Sequence, residues 1–119
     1  MNPVNIDQKL SLFDDVWSPK LLAELNGQHV KLAKLLGEFV WHSHENEDEL
    51  FYVLDGELTM EFRDRTEIVR KNEFIVIPRG IEHRPVAHQL VSVLLFEPAS
   101  TLNTGNVINE MTVPELERI

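Results

Sequence analysis

The 119-residue chain contains no cysteine. Its fold therefore cannot depend on disulfide bonds, and a metal site in it cannot use thiolate ligands. A chain without cysteine is also compatible with a reducing compartment. Any metal-binding chemistry must come from histidine and from the carboxylates of aspartate and glutamate.

Long apolar runs are also absent, since no stretch approaches the ~20 residues that a membrane-spanning helix needs. Residues 1–10 do not combine a basic segment with an apolar one, which argues against a signal peptide. The chain has 43% hydrophobic and 26% charged residues, a composition typical of soluble proteins. We therefore expect a soluble, cytoplasmic protein with no membrane partner.

Basic residues are few and scattered. The 11 Lys and Arg face 20 Asp and Glu, which gives a formal net charge of -9. Binding to a phosphate backbone needs clustered basic residues, so we expect no nucleic-acid partner. A small-molecule ligand or a protein partner remains, and we favour the small molecule.

The length fits one domain covering residues 1–119. Turn residues recur about every 8 to 12 residues between short apolar segments, a pattern typical of an all-β sandwich or barrel. A competing interpretation takes residues 20–36 as a Leu-rich helix, but Asn26-Gly27 and Gly37 argue against it. The predicted strands are residues 20–25, 28–36, 38–44, 50–54, 57–63, 66–70, 74–77 and 90–96.

Three short turns predict β-hairpins. Asn26-Gly27 is the strongest, because both residue types tolerate positive φ. Asp55-Gly56 predicts a second hairpin and residues 71–73 a third. Near the N-terminus, Asp7 is the predicted cap of a short helix that reaches Phe13.

Three histidines and one glutamate are candidate metal ligands. His42 and His44 lie one residue apart, so on a strand both point to the same face. Glu49 opens the next strand, and His83 follows the turn of residues 78–80. Imidazole and carboxylate ligands suit Zn, Mn, Fe, Ni or Cu, and the sequence does not choose among these divalent ions.

Each of these residues has an ordinary alternative explanation. An H-x-H pair is more often two surface histidines than a metal site, and Glu49 ends an acidic stretch typical of a solvated loop. The joint spacing favours the metal site, because each histidine lies beside a turn or strand that can direct it inward. Phe51 has the strand parity to line the same cavity, while Arg79 and Arg84 flank the His83 turn and are candidates for binding substrate.

Two motifs in this chain resemble those of the cupin superfamily. Residues 37–56 match the first motif, G-x5-H-x-H-x3,4-E-x6-G, except that four residues rather than five follow Gly37. Residues 72–87 match the second, G-x5-P-x-G-x2-H-x3-N, with Asn72 at the first glycine and Ala87 at the final asparagine. The match is closest to small single-domain bacterial cupins of the mannose-6-phosphate isomerase-like group.

The resemblance implies a single-domain antiparallel jelly-roll β-barrel with short N- and C-terminal extensions. It also implies a homodimer and one divalent metal ion held by His42, His44, Glu49 and His83. The function that follows is a metalloenzyme acting on a small polar or anionic metabolite, with isomerase, epimerase or dioxygenase-like chemistry. A non-catalytic, metal-dependent binding protein is the alternative, and a structural protein with an empty site is a third.

Overall fold

The computed structural model describes residues 1–119 and consists of one short helix and eight β-strands. Alternating buried and exposed residues along the strands account for their amphipathic packing. The elements are α1 (Ile6–Leu10), β1 (Lys20–Leu25), β2 (Gln28–Glu38), β3 (Glu49–Asp55), β4 (Glu57–Phe62), β5 (Thr66–Arg70), β6 (Phe74–Ile77), β7 (His83–Pro98) and β8 (Glu117–Arg118).

The long strand β7 organises the sheet. It pairs along its length with β2, and on its other side with β3 and β4. Strand β6 then adds to β3, and β5 adds to β4. All of these pairs are antiparallel, and only the short β8 lies parallel to its neighbour, β1. The predicted all-β antiparallel jelly roll is confirmed.

The first predicted hairpin is present. Asn26 and Gly27 have φ of 49° and 78°, and Leu25 stands opposite Gln28 across the two-residue turn. Positive φ at both central positions is the geometry that Asn-Gly supplies without steric cost. The competing interpretation, a helix over residues 20–36, is therefore wrong.

The other two predicted hairpins are wrong. The turn at Gly56 (φ 87°) joins β3 to β4, yet those strands pair with β7 rather than with each other. The turn at Asn72 (φ 66°) likewise joins β5 to β6, which pair with β4 and β3. Because β7 is 16 residues long, its C-terminal half pairs with β3 and its N-terminal half pairs with β4.

Two further boundaries differ from the prediction. The helix begins two residues earlier than predicted, because Asn5 rather than Asp7 is its cap and accepts a hydrogen bond from the Gln8 backbone amide, and it ends at Leu10 rather than Phe13. The predicted strand over residues 38–44 is absent, because β2 ends at Glu38 and an irregular connection follows. No helix in the chain has the length and apolar character that crossing a bilayer requires.

The core occupies the space enclosed by the strands. Its centre includes fully buried Val53, Leu58, Met60 and Val93 from β3, β4 and β7. A second cluster of Phe13, Leu22 and Leu32 lies on the other face of β1 and β2, beneath the N-terminal segment. The larger cluster therefore fills the interior of the barrel, and the side chains of the candidate ligands point toward this interior.

Candidate metal centre

The connection after β2 carries His42 and His44, and it is attached to the start of β7. His42 and His83 exchange both backbone hydrogen bonds, with N···O distances of 3.0 and 2.9 Å. This isolated bridge brings two of the predicted ligands together without a continuous strand. The predicted shared orientation of His42 and His44 therefore holds although the strand that was expected to produce it does not form.

The four predicted ligands converge. Glu49 is the first residue of β3 and His83 the first of β7. One ligand atom from each of the four residues lies within 4.8 Å of the others. All four residues are buried, with exposed fractions of 4% or less for His42, His44, Glu49 and His83.

Hydrogen bonds fix the orientation of two of the imidazole rings. Nδ1 of His42 lies 2.9 Å from the Val40 carbonyl, and Nδ1 of His83 lies 2.9 Å from the Ile81 carbonyl. Because a carbonyl only accepts, each Nδ1 carries the proton and each Nε2 is left as a lone-pair donor. Phe39 packs edge-on against the His42 ring at 5.4 Å and limits its movement further.

Several polar atoms at the centre have no hydrogen-bond partner. Nε2 of His44 and Nε2 of His83 lie 2.9 and 3.2 Å from Oε1 of Glu49, yet all three atoms are buried and unsatisfied. These atoms therefore converge on a shared point rather than pair with one another. Leaving such atoms unpaired in a protein interior is costly. A divalent cation at that point would satisfy them, so the residues fit a metal ion.

The ionisation of the site favours ligation. Burial, reinforced by the nearby His83, lowers the pKa of His42 to about 4, so its imidazole is neutral near pH 7. Burial tends to raise the pKa of Glu49, but contacts with His44 and His83 outweigh this and hold that pKa below its usual value. A neutral imidazole and an ionised carboxylate are the forms that bind a metal.

A C-terminal loop supports the segment between the first two histidines. The side-chain oxygen Oδ1 of Asn106 accepts a hydrogen bond from the Ser43 backbone N–H at 2.9 Å. The backbone N–H of Asn106 donates to the Ser43 backbone carbonyl at 3.0 Å. The adjacent Gly105 has φ of 55°, and a side chain there would collide with the Ser43 carbonyl. Both bonds act on the residue that separates His42 from His44. No sequence motif pointed to this contact.

A second carboxylate lies beside the first. Glu97 is 3% exposed, near the end of β7, and its Oε1 lies 2.9 Å from Nζ of Lys31, which is 2% exposed. Burial, together with the negative charge of Glu49, raises the pKa of Glu97 well above its usual value. Sequence reasoning missed this pair. Its signal was available, because Glu97 shares interior strand parity with Val93 and Leu95.

A small cavity of about 40 Å³ adjoins the centre. Glu49 and Glu97 supply its carboxylates, and most of the remaining wall is hydrophobic, including Leu35, Phe51 and Leu95. Phe51 therefore lies where its strand parity predicted, against the cavity. Its role in binding substrate stays a prediction.

The two candidate arginines lie outside this cavity. Arg79 is exposed and its side chain contacts Asp48 at 3.2 Å. Arg84 contacts Glu61 at 2.7 Å and Glu38 at 3.3 Å on the barrel surface. Both guanidinium groups are therefore occupied by carboxylates, and neither lines the cavity beside the four candidate ligands.

The fold and the centre together define the class: an antiparallel jelly roll with a buried His/Glu cluster that could hold a metal ion. Residues 28–96 match the Cupin_2 family, described as Cupin domain. The chain belongs to the cupin family. In sequence it is also similar to the protein YdbB of Bacillus subtilis (strain 168), with 44% identity over 64 residues. That alignment covers 53% of this chain and 57% of YdbB.

Two crystal structures extend the similarity over most of the fold. A cupin-2 domain-containing protein from Shewanella frigidimarina NCIMB 400 is 43% identical, with a TM-score of 0.79. The superposition covers 80% of this chain and 93% of that one. The protein NMB1881 from Neisseria meningitidis is 28% identical, with a TM-score of 0.76, and the coverage is 82% and 100%.

Proposed function

We propose that this protein binds one divalent metal ion through His42, His44, Glu49 and His83. The observation that carries the proposal is the convergence of buried, unpaired Nε2 and Oε1 atoms on one point. Such atoms are rare in folded proteins unless something satisfies them. Three imidazoles and one carboxylate suit Zn, Mn, Fe, Ni or Cu.

We further propose that the centre serves a metalloenzyme acting on a small polar or anionic metabolite. A bound metal ion would polarise an oxygen of the substrate, in isomerase-like or epimerase-like chemistry, or serve dioxygenase-like chemistry. The chain supplies the fixed ligands, the neutral form of His42 and an apolar wall that excludes water. Three neutral imidazoles and Glu49 leave about one positive charge on a dication, which favours an anionic oxygen.

A non-catalytic binding protein is the second candidate. The observation that favours it is that no free acid–base group lines the cavity: apart from the candidate ligand Glu49, the carboxylate there is Glu97, and Glu97 is paired with Lys31. The exposed Arg79 and the partly buried Arg84 are paired with carboxylates as well. The same metal-loaded protein distinguishes the two candidates: conversion of a bound oxo-acid or sugar supports the enzyme, and binding without conversion supports the binding protein.

Elemental analysis tests the metal site directly. Purified protein is stripped with a chelator, incubated separately with Zn, Mn, Fe(II), Ni or Cu, desalted and analysed. We expect one equivalent of at least one metal in the wild type, and loss of stoichiometric metal in His42→Ala and in His44→Ala. The exposed His88→Ala is the matched control and should retain the metal. A wild type that retains none of the five metals would overturn the proposal.

The remaining partner predictions are a homodimer and a cytoplasmic location, and the single-domain organisation over residues 1–119 is a prediction as well. Membership of the mannose-6-phosphate isomerase-like group is likewise proposed from the two motifs alone. Light scattering coupled to size-exclusion chromatography measures the oligomeric state. A mass close to twice the 13.8 kDa of the chain would support the dimer.

A further inference from the structure

Lys31 and Glu97 form an ion pair in the barrel interior whose presence stability alone does not explain. Their Nζ and Oε1 atoms are 2.9 Å apart, and the two side chains are 2% and 3% exposed. Removing two charges from water costs about as much as their attraction returns, so apolar residues of similar volume are often equally stable or more so. The pair therefore calls for a functional explanation.

The strand register places this pair beside the metal centre. Leu50 stands opposite Phe96 across β3 and β7, so the next positions, Glu49 and Glu97, are neighbours. Both line the small cavity. Lys31 holds Oε1 of Glu97, while Oε2 is buried and no N–H or O–H group of another residue donates to it, since the carboxyl group that Glu97 contacts is that of Glu49. One carboxyl oxygen is thus fixed by the protein and the other remains for a further group.

The cavity limits what that group can belong to. Its volume of about 40 Å³ admits only a few non-hydrogen atoms, and its wall is mostly apolar. No lysine or arginine lines it. Lys31 is held by Glu97 and does not line the cavity, and a divalent ion with Glu49 and three neutral imidazoles carries about one positive charge. One carboxylate balances that charge, whereas a phosphate dianion would exceed it and face two carboxyl groups.

We propose that Glu97, fixed by Lys31, is the hydrogen-bond anchor for a hydroxyl group on a small, unphosphorylated hydroxy acid whose carboxylate faces the His/Glu centre. A hydroxyl both donates and accepts, so it can pair with a buried carboxyl oxygen. The inference rests on the proposed metal-binding function and specifies the ligand class of the same site. Mannose 6-phosphate and other sugar phosphates are outside that class.

The test uses cobalt-loaded protein and four probes: glycolate, acetate, methoxyacetate and inorganic phosphate. Dissociation constants are read from changes in the visible absorption of the cobalt centre. Glycolate differs from acetate by one hydroxyl, and a hydrogen bond to a buried carboxyl predicts about tenfold tighter binding of glycolate. We expect phosphate to bind more weakly than glycolate, and methoxyacetate to bind no better than acetate.

Protein variants separate the contribution of Glu97 from chelation by glycolate itself. The double variant Lys31→Met/Glu97→Leu removes both charges without leaving one unpaired. It should keep stoichiometric cobalt, while its preference for glycolate over acetate falls about tenfold relative to the wild type. The exposed Glu67→Gln is the matched control and should keep the full preference.

Three results would overturn the inference: an unchanged preference in the double variant, phosphate binding more tightly than glycolate, or equal binding of glycolate and methoxyacetate by the wild type. The last comparison needs no variant, so it can overturn the inference even if the double variant does not fold. If the wild type takes up neither cobalt nor any of the five metals tested above, the proposed metal site itself fails. Uptake of cobalt without a hydroxyl preference refutes the hydroxyl anchor alone.

Discussion

At the scale of single residues, the buried His42 makes the stability of the metal-free protein depend on pH. Its pKa is lowered from 6.5 to about 4, chiefly by burial. Above pH 6.5 neither the folded nor the unfolded state is protonated at this residue. Below it, the unfolded state gains a proton that the folded state takes up only near pH 4. The free energy of unfolding therefore falls as pH falls, by roughly 3 kcal/mol across this window.

Urea unfolding of metal-free wild type and His42→Gln at several pH values measures this contribution. The variant cannot titrate here, so its unfolding free energy should fall less than that of the wild type by roughly 3 kcal/mol. The raised pKa of Glu97 makes the unfolding free energy change with pH in the opposite direction over an overlapping range. That change is the same in wild type and His42→Gln, so it cancels in the difference between them. The exposed His88→Gln should behave like the wild type. Identical pH profiles for wild type and His42→Gln would contradict the prediction.

The ligand residues were readable from sequence because metal coordination limits both residue type and spacing. His42 and His44 needed only the two-residue alternation of extended backbone, which survives even where no regular strand forms. Strand parity places Glu97 on the interior face with Val93 and Leu95, but its charge argues for an exposed position. A charged residue at an interior position reads as solvent-exposed until its partner, on a distant strand, is known. The same holds for Asn106, 63 residues away from the backbone group it supports.

At the scale of elements, the C-terminal loop acts as a brace for the first two histidines. Replacing Asn106 by Ala removes the acceptor for the Ser43 backbone amide. Replacing a residue that orients metal ligands typically lowers metal affinity by roughly 10- to 100-fold. We expect Asn106→Ala to weaken metal binding by about tenfold at least. Asn106→Asp keeps an oxygen at the same position and should bind metal nearly as the wild type does.

Competition of each variant with a chromogenic chelator gives its metal affinity. Asn46→Ala, exposed in the connection before β3, is the control for a surface asparagine that has no such backbone contact. Comparable affinities for Asn106→Ala, Asn46→Ala and the wild type would show that the brace does not affect the ligands. Loss of affinity in Asn106→Asp alone would point to charge rather than to the hydrogen bond.

Two glycines in turns of the same sign of φ differ in what surrounds them. A Cβ at Gly56 would lie 2.8 Å from the Leu90 carbonyl, whereas a Cβ at Gly27 would meet nothing within 4 Å. Alanine at Gly27 therefore adds only backbone strain, about 1 kcal/mol. Alanine at Gly56 adds a collision with the backbone of β7, and we expect it to lower the unfolding free energy by roughly 1–3 kcal/mol more. Chemical denaturation of both variants checks the difference.

That difference also explains why the turn signal at Asp55-Gly56 predicted a hairpin that does not form. Asn26-Gly27 joins strands that pair with each other, and its surroundings are open. Asp55-Gly56 is an equally good turn in sequence, but it packs against β7, which takes β3 and β4 as separate partners. A dipeptide specifies the local reversal of the chain. Which strands pair depends on the other strands available, and a long strand such as β7 can pair with both β3 and β4. The sequence predicted a strand only over residues 90–96, less than half of the 16-residue β7.

At the scale of the whole molecule, the centre connects parts of the chain that are distant in sequence. His42 and His44 precede β3, Glu49 begins it, and His83 begins β7. A cation that binds all four therefore links these segments only in the folded state. Binding to the folded state alone stabilises a protein by about 2.7 kcal/mol when the free ligand is at 100 times its dissociation constant. For a domain of this size that corresponds to a rise in Tm of roughly 10 °C.

Differential scanning calorimetry of the stripped protein, with and without excess metal, measures this rise. The rise should scale with the logarithm of the metal concentration and reverse on addition of a chelator, because it reflects mass action rather than a permanent change in structure. The variant His42→Ala/His44→Ala lacks two ligands and should show no rise, while His88→Ala should show the full one. An equal rise in the double variant would mean that the cation stabilises the fold from the acidic surface, where a net charge of -9 attracts it without a specific site.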